Sequence, residues 1–151
     1  MRSTILLLVG VLTSGEALAQ PRAWTFNAYG PSRVQLAGLY RPALGGDSAV
    51  FAERDEEFIA AWQQFMTMLG TSLKENGFTW GAPTRCMALV YFDACGSVDR
   101  FLYSFREGTL DPAKAERFGI LLNAFLEQHV FPLKAMEPFS QCGPLVFHDA
   151  P

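Results

Sequence analysis

The stretch Cys86 to Phe92, reading CMALVYF, is apolar at every position. Successive side chains of a strand point to opposite faces, so this segment has two apolar faces and both must leave water. It therefore reads as a strand covered on both sides, in the middle of a sheet. The rest of the chain must supply that cover. Half of the 151 residues are hydrophobic and 18% are charged. That is enough apolar material for one ordinary domain and too little charge for a disordered tail. A net charge of -3 argues against a nucleic-acid partner, which calls for a basic face.

The neighbours of CMALVYF are legible. Asp93-Ala94-Cys95-Gly96-Ser97 is a turn, and Val98 to Arg106 then alternates. Phe101, Tyr103 and Phe105 lie on one face, Arg100, Ser104 and Arg106 on the other. The two strands form a hairpin. Upstream, Phe58, Trp62, Phe65, Leu69 and Leu73 recur at helical spacing and predict a long helix. Asp47 or Ser48 is expected to cap it, and Glu53, Asp55, Glu56 and Glu57 load its first turns with charge that suits the helix dipole. Lys74 sits in the last turn, and Gly77 is the expected left-handed terminator.

Downstream, Asp111-Pro112 opens a second helix, with Asp as cap and Pro at the first helical position. Phe118, Leu121, Leu122, Phe125 and Leu126, continued by His129 or Val130, make its apolar face, and Phe131-Pro132 is the expected stop. Pro144 to His148 reads as a short last strand. The order helix, strand, strand, helix, strand predicts an α+β fold with two helices packed on a three-stranded antiparallel sheet. A right-handed crossover puts the strands in the spatial order second, first, third, with the alternating strand and the last strand as the two edges.

The N-terminus reads as a targeting segment. Arg2 supplies positive charge, Ile5 to Leu12 is an apolar run, and Ala17-Leu18-Ala19 is a small-x-small cleavage site. The run is shorter than the roughly 20 residues that span a bilayer. Residues 1–19 are accordingly expected to be a signal peptide, cleaved to leave Gln20 first. The expected location is periplasmic or secreted, with no stable membrane insertion after cleavage. Residues 20–46, rich in Pro and Gly but carrying Trp24, Phe26, Tyr29, Leu36, Leu39 and Tyr40, read as an ordered N-terminal arm with a weak strand at Arg33 to Leu36. Residues 47–151 form the main domain.

The stretches LVYFDACGSVDRFLYSF, GTLDPAKAERF and PLVF, with LGGDSAV upstream, resemble the C-terminal domain of TonB and TolA proteins. The resemblance runs from Leu44 to His148 and rests on the order and spacing of soft motifs: an Asp-x-x-Gly turn, a Leu-Asp helix cap and a Gly-Gly-acidic-small segment. It implies a TonB C-terminal-like fold in a stand-alone, exported protein. It also implies a partner: a short segment of an outer-membrane or other envelope protein, added to the sheet edge at Leu145, Val146 and Phe147. The chain departs from TonB and TolA in having a cleavable N-terminal segment in place of an anchor, and only a short arm in place of a long spacer. The resemblance thus supports the fold more than an energy-transducing role.

The sequence offers little chemistry beyond that. His129 and His148 lack a ligand spacing, and no Cys-x-x-Cys occurs, so no metal is expected. No phosphate-binding glycine motif or Gly-x-Ser-x-Gly elbow is present, and no cofactor is expected. The acidic run Glu53 to Glu57 fits a solvated helix start. In the expected sheet Cys95 and Cys142 lie at adjacent strand ends, with Cys86 about 20 Å away by strand rise. Any internal disulfide is expected to be Cys95–Cys142 with Cys86 free; three reduced cysteines are the alternative.

The reading that results is a non-enzymatic interaction module that takes a partner peptide by edge-strand addition. The arm is the natural competitor for that edge. The alternative function is a small secreted enzyme or inhibitor, for which Asp99, Arg100, Tyr103 and Arg106 are the densest polar set. If the arm leaves the second sheet face open, a homodimer would cover it.

Overall fold

The computed structural model describes residues 20–31 and 33–149. The signal-peptide expectation falls on residues 1–19, outside the described residues. The elements run β1 (Ala23–Thr25), α1 (Arg33–Ala37), β2 (Arg41–Pro42), α2 (Asp55–Glu75), β3 (Thr84–Phe92), β4 (Val98–Phe105), α3 (Pro112–Gln128) and β5 (Phe139–Phe147). They build one five-stranded sheet in the order β1-β4-β3-β5-β2.

Three antiparallel strands form the middle of this sheet. Val90 lies between Phe101 of β4 and Gln141 of β5, and Cys86 between Phe105 and Leu145. CMALVYF is central because it has a strand on each side and a layer on each face, although the second layer stops short of Met87, which stays 44% exposed. One face, through Cys86, Ala88, Val90, Phe92, Phe101 and Tyr103, packs on α2 and α3 in the main core. The other, through Tyr91 and Leu102, packs under Leu36 and Tyr40 of the arm, with Trp24, Phe26 and Tyr29 around them.

The expected architecture of two helices on a three-stranded antiparallel sheet is therefore incorrect. The sheet is five-stranded and mixed, with three helices among the described residues. The arm supplies the difference. β1 pairs in parallel with Phe101–Tyr103 of β4, and β2 pairs in parallel with Phe139–Ser140 of β5. The arm thus runs as a strap from one edge of the sheet to the other, across the face the helices leave bare. Asn123 of α3 anchors its start, its Oδ1 accepting from the Arg22 and Ala23 N–H groups at 2.7 and 2.9 Å. Tyr40 anchors its far side, donating to Asp99 at 2.8 Å and accepting from Arg100 at 2.9 Å. The segment expected as a strand at Arg33 to Leu36 is the short helix α1.

Three further boundaries are corrected. α2 begins at Asp55, not after a cap at Asp47 or Ser48, and Arg54 takes the cap position without a side-chain cap bond. Glu53 has φ 66, which breaks any helix there, and the preceding turns drive Phe51 into the core against Phe58 and Phe139. Arg54 instead holds the first turn by a bidentate pair to Glu57, at 2.7 and 2.8 Å. At its other end α2 closes as a Schellman turn. The Phe78 N–H reaches the Leu73 carbonyl and the Gly77 N–H that of Lys74, with Gly77 at φ 72. α3 is capped by Asp111 through the Lys114 N–H at 2.9 Å, but ends at Gln128, before Phe131-Pro132. β5 begins at Phe139, well before Pro144.

The β3–β4 turn ties the helix layer to the sheet. Asp93 Oδ1 accepts from the Ser97 N–H at 2.9 Å, and Gly96 at φ 92 accepts from the Phe131 N–H at 2.8 Å. A Cβ on Gly96 would lie 2.6 Å from the Phe131 carbonyl oxygen. Gly96→Ala combines that backbone collision with a left-handed φ. It is expected to destabilise the fold by about 2–3 kcal/mol in urea unfolding, without changing the end states.

Candidate functional site

The sheet edges define the site. On β4 the strap covers Phe101–Tyr103, and the Phe26 N–H extends the pairing to the Tyr103 carbonyl. On β5 the strap stops early: β2 reaches only Phe139–Ser140, and the last bond is from the Ala43 N–H to the Ser140 carbonyl at 2.7 Å. Beyond Ser140 no strand lies against the outer edge of β5 among the described residues. The expectation that both β4 and β5 are edge strands is thus corrected: β1 and β2 are outermost, and only part of β5 stays open.

The direction of each main-chain group follows from that last bond. N–H and C=O of one residue point to the same side of a strand and alternate along it. Ser140 points outward to Ala43, so Cys142, Pro144 and Val146 also present their main chain outward. Gln141, Gly143, Leu145 and Phe147 bond inward to β3. Consistently, the Gln141 side chain reaches the Cys142 carbonyl at 3.2 Å. Pro144 occupies an outward position, where its missing N–H costs the sheet nothing and blunts the edge. Of Leu145, Val146 and Phe147, only Val146 offers hydrogen-bonding groups to a neighbour. Leu145 and Phe147 turn their side chains to the helix face.

A groove of ≈ 730 Å³ runs beside this edge. Its far wall is the α2 row Met66, Thr67, Gly70, Thr71 and Lys74, and its near wall is Leu145–Phe147 and His148. A Cβ at Gly70 would meet nothing within 4 Å, so the groove floor is open at its centre. On the opposite face Val146 is 55% exposed and Met87 44% exposed, next to Pro144. An extended segment laid along the edge would find apolar surface on both sides, with the exposed Arg85, the strand partner of Val146, beside it on the Met87 face.

Both ends of β5 are fastened. Phe139 stacks on Phe92 at 4.8 Å and meets Phe51 at 5.0 Å, while Phe147 stacks on Trp80 at 4.6 Å. Just past the strand, Asp149 accepts from the Trp80 and Gly81 N–H groups at 2.7 and 2.8 Å. Those two backbone donors hold its carboxyl below the usual carboxylate range. The depressed value means that the clamp contributes stability above the ordinary pKa of 3.8 and loses it as pH falls through the lowered one. Asp149→Ala is accordingly expected to speed hydrogen exchange of the Trp80 and Gly81 amides at neutral pH. Acidification to below the usual carboxylate range should produce the same loosening in the unaltered protein.

The other candidates do not converge. Tyr103 is buried on the helix face, opposite Ala88, whereas Arg100 lies on the other face, opposite Tyr91, where Arg100 and Asp99 serve to hold Tyr40. His129 stacks on Phe125 at 4.3 Å and its Nδ1 lies 2.9 Å from the Phe125 carbonyl, a packing role. No cluster of three metal-ligating side chains occurs among the described residues, and no helix there is long and apolar enough to cross a membrane.

All three cysteines are free thiols, and the proposed Cys95–Cys142 bridge is not formed. The register explains the separation: Cys142 sits opposite Leu89, well inside β3, while Cys95 lies beyond Phe92 in the turn. Burial pushes the Cys86 thiol up to about 12, offset in part by a backbone hydrogen bond at Ser104. At about pH 8 a thiol reagent is expected to modify Cys95 and Cys142 quickly and Cys86 only on unfolding, because the thiolate is the reactive form.

The groove itself was not legible in advance. Thr67, Gly70 and Thr71 are unremarkable in sequence, although a charge-free Phe139–Phe147 carrying one proline was a usable sign of an exposed edge. No family model matches this chain, and neither a curated protein nor a solved structure shows significant similarity to it.

Proposed function

We propose that this chain is an exported, non-enzymatic interaction module of the cell envelope that binds an extended segment of a partner protein by adding it to the β5 edge at Leu145, Val146 and Phe147. One observation carries the reading: among the described residues no strand pairs with the outward main chain from Cys142 to Val146, between a strap that ends at Ser140 and a strand that ends at Phe147. Main-chain bonds to such an edge supply affinity, and pockets beside it supply selectivity. The groove under α2 would receive alternate side chains of the added strand. Because Phe139 and Phe147 hold the strand ends, the template is ordered before a partner arrives, which lowers the cost of binding.

The proposal extends the resemblance to TonB and TolA C-terminal domains. It is confined to the order α2-β3-β4-α3-β5; the strap and its two parallel strands lie outside the quoted motifs. Export rests on the N-terminal segment, and an outer-membrane or other envelope protein is the partner that location favours.

The test is photo-crosslinking from a probe attached at Cys142, in a Cys95→Ser background, within the native cell envelope. The reading expects one envelope protein, linked through a contiguous short segment. Val146→Pro, which removes only an outward N–H, should reduce its yield at least about tenfold, as loss of ladder bonds worth roughly 1.5 kcal/mol implies. Absence of a specific adduct, or equal yield from the variant, would reject the proposal.

A further inference from the structure

The strap leaves part of the second sheet face bare. It lies over Tyr91 and Leu102. Beyond them the register sets Pro144, Met87 and Ser104 in one row across β5, β3 and β4. The next row holds Val146 and Arg85 and, one step past the last β3–β4 pair at Cys86 and Phe105, Arg106. Side chains alternate between faces, so Arg106 shares the face of Ser104, and Arg85 that of Met87. Facing residues at such a position stand about 5.5 Å apart at Cα. Two exposed arginines are thus side by side on one face, with no acid in either row.

Like charges directly opposite each other destabilise a sheet. Elsewhere the chain matches its arginines. Arg22, Arg41, Arg54, Arg100 and Arg117 each donate to a carboxylate, a hydroxyl or a main-chain carbonyl. Among the arginines whose side chains are described, only Arg85 and Arg106 have no hydrogen-bond or ion-pair partner. The chain carries 15 acidic residues against 12 basic ones, so the pair is no by-product of a basic composition.

A ligand that relieves this repulsion must bring negative charge to both guanidinium groups. Each group offers a planar fork that grips two oxygens of an anion. A carboxylate has one charge and oxygens for one fork. A phosphate group carries close to two charges and enough terminal oxygens to meet both forks. We infer that Arg85 and Arg106 form a binding site for a phosphate dianion, free or at the end of a larger molecule. Ser104 adds a hydroxyl one row on, and Met87 and Val146 give the site an apolar flank. The site uses side chains of the sheet face and no main chain of β5, so it holds or fails separately from strand addition.

NMR of the backbone and arginine side chains of the purified protein tests it, at about pH 8, where a phosphate monoester is doubly charged. Inorganic phosphate is titrated from about 0.1 to about 30 mM, against chloride at matched ionic strength. The Arg85 and Arg106 signals should shift together and saturate, while those of Arg117 stay in place. Arg85→Gln and Arg106→Gln should each weaken binding at least about tenfold, with an unchanged circular dichroism spectrum. Phosphate should raise the melting temperature of the unaltered protein and of neither variant. Phenyl phosphate separates the two sources. An affinity equal to that of inorganic phosphate assigns the free ion; tighter binding that is lost in Met87→Ser assigns an ester with an apolar body. Shifts that have not saturated by about 30 mM, shifts spread evenly over the other arginines, or an unchanged affinity in either folded variant would overturn the inference.

Discussion

Everything in this fold answers to β3, a strand that is apolar on both faces and must be shielded on both. Hydrogen bonding to β4 and β5 satisfies its edges, but neighbours in a sheet cover no face. One face takes α2 and α3, whose Phe58, Phe65, Leu69, Phe118, Leu122 and Phe125 are fully or nearly fully buried against it. At roughly 1.5–3 kcal/mol for each large side chain buried, that layer is the main source of stability. Tyr91 and Leu102 are left on the other face, in a cluster separate from the one built on α2 and α3. The strap covers them with Leu36 and Tyr40 and is itself held by main-chain pairing at both sheet edges.

The strap and the open edge are two consequences of one arrangement. In crossing the second face the arm has to leave the sheet at each side, and where it leaves it pairs. At β4 it arrives along the middle of the strand and covers it. At β5 it touches only the first two residues before turning away through Gly45 and Gly46, both at positive φ. The remainder of β5 is protected instead by Pro144, which withholds a donor, and by the shortness of the exposed stretch. Protection of that sort discourages promiscuous pairing while leaving a specific one available.

The helices and the hairpin were legible because their signals are local. The stripe from Phe58 to Leu73, the Asp111-Pro112 opening, the Gly77 terminator and the alternation of Phe101, Tyr103 and Phe105 each depend on residues within a few positions. The start of α2 was misread because Asp47 and Ser48 are good caps in isolation. What excludes them is Phe51, which gains more from the core than from a helical position. β1 and β2 were missed because they are three and two residues long and pair in parallel with distant strands. Neither length nor composition marks them. The cysteine pairing failed for a related reason: it assumed a β5 that started near Cys142, and three further residues before Cys142 moved that residue inward along β3.

The sequence by itself determined the central strand, the hairpin beside it and the two long helices, because periodic burial is written in the spacing of side chains. It also determined that the last strand would be neutral and carry a proline. Only the tertiary structure decided that the arm joins the sheet, that it covers β4 yet releases β5 after Ser140, and that α2 stands far enough from Val146 to leave a groove. Those outcomes depend on pairings between residues 78 and 98 positions apart, whose energies come from main-chain groups every residue shares. A side-chain pattern cannot encode them, and so the edge on which function is proposed became visible only once the strap was in place.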